Sequence, residues 1–312
     1  MAMQKHRSLL LILAWVIPVA IALLAAPHVV GPFQTLTLLY GLVFGIAVLG
    51  FNLLLGYTGL LSFGHSAYFG AGAYTVAFMV KYFKIASMEL FLAGSVLVSV
   101  IISLLFGVVC VRYTKIFFGI LTLALSQVLW SLAFKFFWVT GGTDGLRVPT
   151  PSLLGAAPLA DKMEFLAFQY YYYVLAIFTV CVIIMWVIVH SPFGKALQAI
   201  RDNETRAEFV GVQVWHYRWV AFLISGVFTG LAGALWVPLN GLTTPDILHW
   251  TFSGEIVFFT VLGGFKTFAV GYTVYWQMFL GIVLVVLVMV LPTGIMGMVA
   301  RLDQKWRRTP AP

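Results

Sequence analysis

Residues 56–74 combine glycines with hydrogen-bonding side chains between two apolar runs. The stretch reads GYTGLLSFGHSAYFGAGAY and contains Ser62, His65 and Ser66. Hydroxyl and imidazole groups in an apolar setting can offer hydrogen bonds to a polar solute, and glycine lets helices break or approach closely. This combination predicts a place where a small polar molecule passes, and close packing of helices is the alternative explanation.

A second polar interruption lies at residues 253–271, which read SGEIVFFTVLGGFKTFAVG. Unwound backbone is tolerated in a membrane only where protein or water satisfies it, so a pair of glycine-interrupted segments in opposite halves indicates a transporter path. The candidate path residues are Asn52, Gly56, Ser62, Gly64, His65, Ser66 and Glu255. Structural alternatives remain open, namely a bond from Asn52 to a neighbouring helix and an interfacial position for Glu255.

Two further glycine pairs have the spacing of a helix-packing motif. They are Gly41 with Gly45 and Gly226 with Gly230, each separated by three residues. Small residues four apart lie on one face of a helix and let another backbone come close. We expect both pairs to serve packing.

Signatures of enzyme chemistry are missing. The sequence contains no G-x-x-x-x-G-K-[ST] phosphate loop, no H-E-x-x-H, no G-x-S-x-G and no Cys/His cluster with metal-ligand spacing. We therefore predict no catalytic residue, no metal site and no cofactor in this chain, and ATP binding by the phosphate-loop route is excluded.

The composition predicts an all-α, polytopic transmembrane bundle. Of 312 residues, 62% are hydrophobic and 9% are charged, and the mean hydropathy is +1.02. A span needs about 20 mostly apolar residues. Eight runs qualify: residues 8–30, 36–55, 62–80, 90–111, 116–139, 168–189, 219–239 and 269–291. Residues 255–264 are too few to cross and predict a re-entrant or broken helix, with a full crossing as the rival interpretation.

Basic residues predict the orientation, because short loops rich in Lys and Arg stay in the cytoplasm. Lys5 and Arg7 put the N-terminus inside, and the basic tail at residues 301–308 puts the C-terminus there too. Lys81 and Lys84 fall outside and count against this arrangement. Orientation explains the net charge of +8, so no nucleic-acid partner is needed. We predict that the chain forms one permease domain over residues 1–312.

The cytoplasmic loop at residues 190–218 is the densest charged stretch. Residues 195–210 have the pattern of one short amphipathic helix. Its small apolar face comprises Ala196, Ala199, Ile200, Ala207 and Val210. Such a helix suits docking into a groove of another protein, although an ordinary positive-inside loop is the alternative. Residues 140–151 predict a turn-rich outer loop, either a connector or a contact for a soluble partner.

Five ordered motifs together resemble the LivM-type permease subunit of branched-chain amino acid ABC transporters. The motifs are NLLLGYTGLLSFGHSAYFGAGAYT at 52–75, TGGTDGL at 140–146, AIRDNETRAEFVG at 199–211, SGEIVFFTVLGG at 253–264 and LPTGIMG at 291–297. The resemblance covers nearly the whole chain. It is less specific for the substrate, because urea-transport permeases look alike.

The resemblance implies a multi-pass subunit of an importer in the bacterial inner membrane, translocating leucine, isoleucine and valine. Its implied partners are a second, similar permease, two ATP-binding subunits, a periplasmic binding protein and the lipid bilayer. The charged loop is similar to a coupling helix, a role that falls on Lys195, Arg201, Asp202, Glu204, Arg206, Ala207 and Gly211.

The sequence departs from the family pattern in two places. The stretch GGFKTFAVG at residues 263–271 lacks the expected second glycine-threonine and glycine-proline steps, and the spacing of the coupling motif differs from EAA-x3-G. Three other functions stay open: a permease for urea or another amino acid or amide, an ATP-independent facilitator or channel, and an assembly subunit without a path.

Overall fold

Long apolar helices make up most of the described chain, which comprises residues 18–156, 159 and 161–262 of a computed structural model. The helices are α1 (Pro18–Val29), α2 (Pro32–Asn52), α3 (His65–Phe83), α4 (Met88–Cys110), α5 (Lys115–Lys135), α6 (Phe137–Thr140), α7 (Lys162–Glu164), α8 (Tyr171–His190), α9 (Pro192–Asp202), α10 (Glu204–Phe209), α11 (Val214–Asn240) and α12 (Trp250–Leu262). The predicted predominantly helical fold is confirmed.

Shorter elements join these helices. π-Helical turns lie at Leu53–Tyr57 and Phe165–Tyr170, and 3-10 turns at Gly142–Asp144 and Pro245–Leu248. Strands β1 (Leu146–Arg147) and β2 (Leu242–Thr243) pair antiparallel, with Leu146 opposite Thr243.

Five stretches of the described residues are long and apolar enough to cross a membrane. They are Pro32–Tyr57, Met88–Cys110, Ile116–Lys135, Lys162–His190 and Val214–Asn240, and each overlaps a predicted span. Helix α3, 19 residues long, overlaps the predicted span at 62–80. The predicted span at 269–291 and the first ten residues of that at 8–30 lie outside the described residues, so the count of about eight and the orientation stay predictions.

Helix α11 lies at the centre of the bundle, packed against α2, α3 and α4. Within the most apolar part of each span, 72% of the residues are buried for Pro32–Tyr57 and 67% for Val214–Asn240, against 22% for Met88–Cys110. Helix α8 packs outside α2, and α5 packs beside α3 and α4. The central helices α2 and α11 are thus surrounded by protein, while α4, α5 and α8 expose much of their surface.

A seam of small residues brings α4 close to α11. Ser95, Ser99 and Ser103 repeat every four residues on one face of α4 and are fully buried. The Ser95 hydroxyl donates a 2.7 Å hydrogen bond to the carbonyl oxygen of Gly230. A Cβ atom added at Gly230 would overlap Ser99, and one at Gly226 would overlap Ser103. The predicted packing role of these two glycines is confirmed.

The other predicted glycine pair behaves differently. A Cβ atom at Gly45 would lie 2.9 Å from the Phe178 ring of α8, so this glycine does serve packing. A Cβ atom at Gly41 would meet no atom within 4 Å among the described residues. The described residues thus give Gly41 no packing partner, and its packing role stays a prediction; Gly41 lies on an exposed face of α2.

The predicted span at 116–139 ends early. Phe136 leaves helical geometry, with ψ at 58°, and the short helix α6 follows. The loop beyond has the predicted turns, since Gly141 and Gly145 adopt φ values of 77° and 69°. Its strand β1 pairs with β2 just after α11, so this loop ties the ends of two spans together.

Candidate translocation and coupling sites

A buried polar cluster surrounds the start of α3. The His65 Nδ1 atom lies 3.1 Å from the Ser62 hydroxyl, and its Nε2 atom lies 2.7 Å from the Ser225 hydroxyl of α11. All three side chains are fully buried, and the Phe51 ring meets the imidazole edge to face at 4.6 Å. His65 therefore bridges the connecting loop and α11 inside the chain.

The connection between α2 and α3 is also fixed by backbone groups. Helix α2 widens into the π-helical turn Leu53–Tyr57, and α3 begins only at His65. The Phe63 amide donates to the Thr122 hydroxyl of α5 at 3.3 Å, and the Ser66 amide donates to the Ser253 hydroxyl of α12 at 2.7 Å. The interrupted stretch between α2 and α3 thus contacts three other helices: α5 and α12 through these bonds, and α11 through His65.

Gly64 sits where no side chain fits. A Cβ atom there would overlap the carbonyl oxygen of Thr122 in α5. A large substitution at Gly64 would separate α3 from α5 whether or not a solute passes nearby. Its effect on transport would therefore not distinguish a path role from a packing role.

The remaining path candidates lie in different surroundings. Asn52 is buried, and a Cβ atom at Gly56 would overlap its amide oxygen. Glu255, in contrast, is exposed on α12, on the same face as Thr251 and Phe258. A carboxylate on the outer face of an apolar helix is costly against lipid, so this face suits a protein or water contact.

The charged loop forms two helices, which corrects the prediction of one helix at residues 195–210. Helix α9 begins at Pro192, and Asn203 interrupts the pattern with extended backbone, at φ −160° and ψ 104°. Its side-chain oxygen caps α10 by accepting the Arg206 amide at 3.0 Å. An Asn side chain satisfies the free amides at a helix start, which explains the break.

The inner face of this loop is the buried set Leu197, Ile200, Ala207 and Val214. Leu197 was missed by the sequence interpretation, although its spacing of three from Ile200 is typical of one helix face. Val210 was predicted on that face, yet it is 84% exposed, as is the neighbouring Phe209 at 87%. The break at Asn203 rotates α10 relative to α9 and turns both side chains outward.

An ion pair holds α10 against α11. Two Arg218 nitrogens donate to the two carboxylate oxygens of Glu204 at 2.6 and 2.8 Å. Arg218 is only 7% exposed, and the paired geometry is the strong form of this contact. Arg201 forms its hydrogen bond with a different part of the chain, so Arg201 and Glu204 have separate partners.

Arg201 reaches from α9 to the end of α2. Its guanidinium donates a hydrogen bond to the carbonyl oxygen of Gly56 in the π-helical turn. Gly59, with φ at 75°, brings the backbone so close that a Cβ atom there would lie 3.0 Å from the Arg201 Cγ atom. Carbonyl groups at a helix C-terminus carry partial negative charge and favour a cation. The charged loop and the interrupted stretch are thereby in direct contact.

The sequence profile of the family described as "Branched-chain amino acid transport system / permease component" matches residues 34–307. The chain belongs to this family. It is a transport permease family rather than a catalytic one, in agreement with the missing enzyme motifs.

Curated relatives of this permease share modest identity. The permease protein LivM of the high-affinity branched-chain amino acid transport system is 29% identical in Salmonella typhimurium and 28% in Escherichia coli, each over 250 residues. Those matches cover 74% of this permease and 57% of LivM. The guanosine ABC transporter permease protein NupQ of Bacillus subtilis is 30% identical over 102 residues, covering 33% of this permease and 30% of NupQ. No solved structure matches.

The permease thus brings its predicted coupling residues together on one segment. Arg201, Glu204 and Ala207 face the bundle through the contacts above, while Lys195, Asp202 and Arg206 are exposed. Gly211 ends α10 with φ at 92°, a conformation that favours glycine. Ser225, Thr122 and Ser253, which hold the interrupted stretch in place, were not predicted, because they lie in distant parts of the sequence.

The Glu204–Arg218 pair yields a stability prediction. In Glu204→Gln, Arg218 loses its counter-charge while it stays buried. Breaking a fully buried pair costs about 3 to 5 kcal/mol, and because Glu204 is 42% exposed, we expect a loss of about 2 kcal/mol. The measurement is thermal unfolding of the detergent-solubilised permease. Glu208→Gln, a change at an exposed carboxylate of the same helix, serves as the control, and equal melting temperatures for the two variants would contradict the assignment.

Proposed function

We propose that this chain is a membrane-spanning subunit of an ATP-driven importer of branched-chain amino acids in the bacterial inner membrane. It carries out no bond chemistry itself. A second, similar permease completes the path, two ATP-binding subunits dock from the cytoplasm, and a periplasmic binding protein delivers the substrate. ATP is bound by those partner subunits. The observation that carries the proposal is the anchored charged loop with its two exposed apolar side chains.

The loop has the form of a docking element. Its inner face is held by Leu197, Ile200 and the Glu204–Arg218 pair, so its position is fixed relative to the bundle. Its outer tip presents Phe209 and Val210, the two most exposed apolar residues of the segment. Two large apolar side chains exposed side by side offer a partner protein an apolar contact that water cannot satisfy. We assign this tip to the ATP-binding subunit.

Motion at the tip has a physical route into the bundle. Arg201 links α9 to the π-helical turn through the Gly56 carbonyl, and the residues beyond that turn lead to His65. A π-helical turn is a frequent feature of functional sites and one of the places where helices kink. We propose that force from the ATP-binding subunit reaches the start of α3 by this connection.

The path itself lies, on this proposal, between this subunit and its partner permease. Glu255 and the exposed face of α12 border it, because a carboxylate in the membrane needs water or a protein partner. Asn52, Gly56, Ser62, Gly64, His65 and Ser66 form the joint that moves beside it. Their hydrogen-bonding groups would become available to a solute when the joint rearranges.

Likeness to the LivM proteins supports leucine, isoleucine and valine as the substrates. The match to a guanosine permease makes a nucleoside the second candidate, and urea remains a further alternative. A competition assay of uptake distinguishes these candidate substrates. We expect excess unlabelled isoleucine or valine to lower labelled leucine uptake in cells that express the full transporter, while guanosine and urea leave it unchanged. Labelled guanosine uptake without leucine uptake would reassign the substrate.

The docking assignment is tested by changing the tip alone. We expect Phe209→Ser/Val210→Ser to lower recovery of the ATP-binding subunits with the purified permease by about tenfold, because it removes the apolar contact. Pull-down followed by quantitation of the two subunits is the measurement. Phe209→Leu/Val210→Ile keeps the apolar character and serves as the control. Full recovery of the ATP-binding subunits with the serine variant would refute the docking assignment.

A further inference from the structure

An apolar groove opens between α3, α4 and α5, away from the coupling loop and the buried His65 cluster. Its volume is about 520 Å³. Tyr74 and Phe78 line it from α3, Val98 and Ile102 from α4, and Leu129 and Leu132 from α5. An open apolar surface of this size on a transmembrane helix bundle faces either lipid or another subunit.

The length of the groove along α3 matches the thickness of the hydrocarbon region of one bilayer leaflet. Its lining on α3 runs from Ala71 to Phe83, which at about 1.5 Å per residue gives about 18 Å. Half of the hydrocarbon core measures about 15 Å. The groove therefore extends from one end of the bundle to about the middle, as one acyl chain does.

The mouth of the groove is basic and aromatic. Lys81 donates to the carbonyl oxygens of Trp138 and Val139 at 3.2 and 3.0 Å, and Val139 lines the groove. Lys84 directly follows the lining residue Phe83, and Lys135 directly precedes the lining residue Phe136; both lysines are exposed. Trp138 itself is 89% exposed. Exposed aromatic rings beside cations are typical of the level of lipid headgroups.

We propose that this groove binds an anionic phospholipid, with an acyl chain between the three helices and the phosphate at Lys81, Lys84 and Lys135. These lysines lie at the opposite end of the bundle from α9 and α10, because α3 runs away from the connection to α2, where Arg201 contacts Gly56. The predicted orientation makes this end the outside, so the positive-inside rule does not explain the three lysines, and charge complementarity to a lipid phosphate supplies a reason. The proposal does not depend on which substrate is transported.

Two acidic side chains at this end, Glu89 and Asp246, accept hydrogen bonds, and a third, Asp144, is exposed in the loop beyond the lining residue Thr140. The Glu89 carboxylate accepts from the Ser87 hydroxyl and the Leu154 amide, both at 2.6 Å. Asp246, near Tyr74, accepts from the Thr244 hydroxyl at 3.3 Å. Lys84 and Lys135 adjoin lining residues in the chain and Lys81 contacts the lining residue Val139, so these three side chains are placed to meet a phosphate.

The test compares lipids retained by the assembled transporter after extraction from bilayers of equal parts phosphatidylglycerol and phosphatidylcholine. Native mass spectrometry counts the bound molecules. We expect phosphatidylglycerol to be retained in preference, and Lys84→Gln/Lys135→Gln to lower that preference about fivefold per lysine. Val98→Trp, which fills the groove, should lower the retention of both lipids.

Arg147→Gln/Lys162→Gln is the matched control, because it removes two exposed basic side chains from the same end of the bundle but not from the groove. An unchanged preference in the Lys84/Lys135 variant, or equal retention of both lipids by the unmodified transporter, would overturn the proposal. So would protection of Val98→Cys from a membrane-soluble maleimide in the assembled transporter, since that result assigns the groove to a neighbouring subunit.

Discussion

Replacing Gly230 with leucine is expected to lower the amount of folded permease in the membrane at least tenfold. Gly230 lies where α11 crosses two helices. A Cβ atom on Gly230 would overlap Ser99 of α4, and its own carbonyl oxygen occupies the place of a Cβ atom on Gly72 of α3. Overpacking a core costs about 1 to 3 kcal/mol where side chains can adjust. Here the added Cβ atom would overlap the Oγ and Cβ atoms of Ser99 and lie 3.3 Å from the Tyr68 carbonyl oxygen, so the helices must separate and the hydrogen bond from Ser95 is lost.

The measurement is the yield of monodisperse permease after extraction from membranes. Gly41→Leu is the matched control, since it places the same side chain on a helical glycine that has open space around it among the described residues. We expect a yield close to that of the unmodified chain for the control. Equal yields for the two variants would show that the seam between α4 and α11 does not determine the fold.

The second large effect is expected at Arg201. In Arg201→Met, the link from α9 to the Gly56 carbonyl is removed, while Leu197 and Ile200 still hold the helix in place. We expect ATP-dependent uptake to fall at least tenfold in a transporter that still assembles. The reason is that motion of the loop would no longer move the π-helical turn. Uptake and substrate-stimulated ATP hydrolysis are measured in the same vesicles.

Two further variants distinguish the proposed connection through Arg201 from other roles of this side chain. Arg112→Met removes an exposed cation near the end of α4, on the same side of the bundle, and should leave uptake unchanged. Arg201→Lys keeps the charge with a less suitable geometry and should give intermediate uptake. Normal uptake in Arg201→Met would eliminate the proposed connection, and loss of the ATP-binding subunits from that variant would assign Arg201 to docking instead.

Local patterns were sufficient for much of the fold. Apolar runs of about 20 residues predict α2, α4 and α11, because each must satisfy its own backbone in a membrane. The turn at Gly141 and Gly145 follows from the need for left-handed backbone. The stripe Ser95, Ser99 and Ser103 was overlooked, although its spacing of four was a readable signal.

Contacts between distant parts of the chain could not be predicted in this way. Arg201 and Gly56 are separated by 145 positions, and no periodicity of either segment indicates that they meet. The same holds for His65 and Ser225. The break at Asn203 depends on whether its side chain caps a new helix or points to solvent, and the apolar pattern fits both. The path residues were predicted from polarity and from glycine interruptions, and neither property separates a buried joint from an accessible surface.

The central proposal is that this permease moves substrate only as part of an ATP-driven assembly. The most direct test is labelled leucine uptake into vesicles that contain this chain with its partner permease, the ATP-binding subunits and the binding protein, with and without internal ATP. We predict uptake only with ATP and only with the full set of subunits. Leucine uptake by this chain alone, without ATP, would contradict the proposal and identify a facilitator.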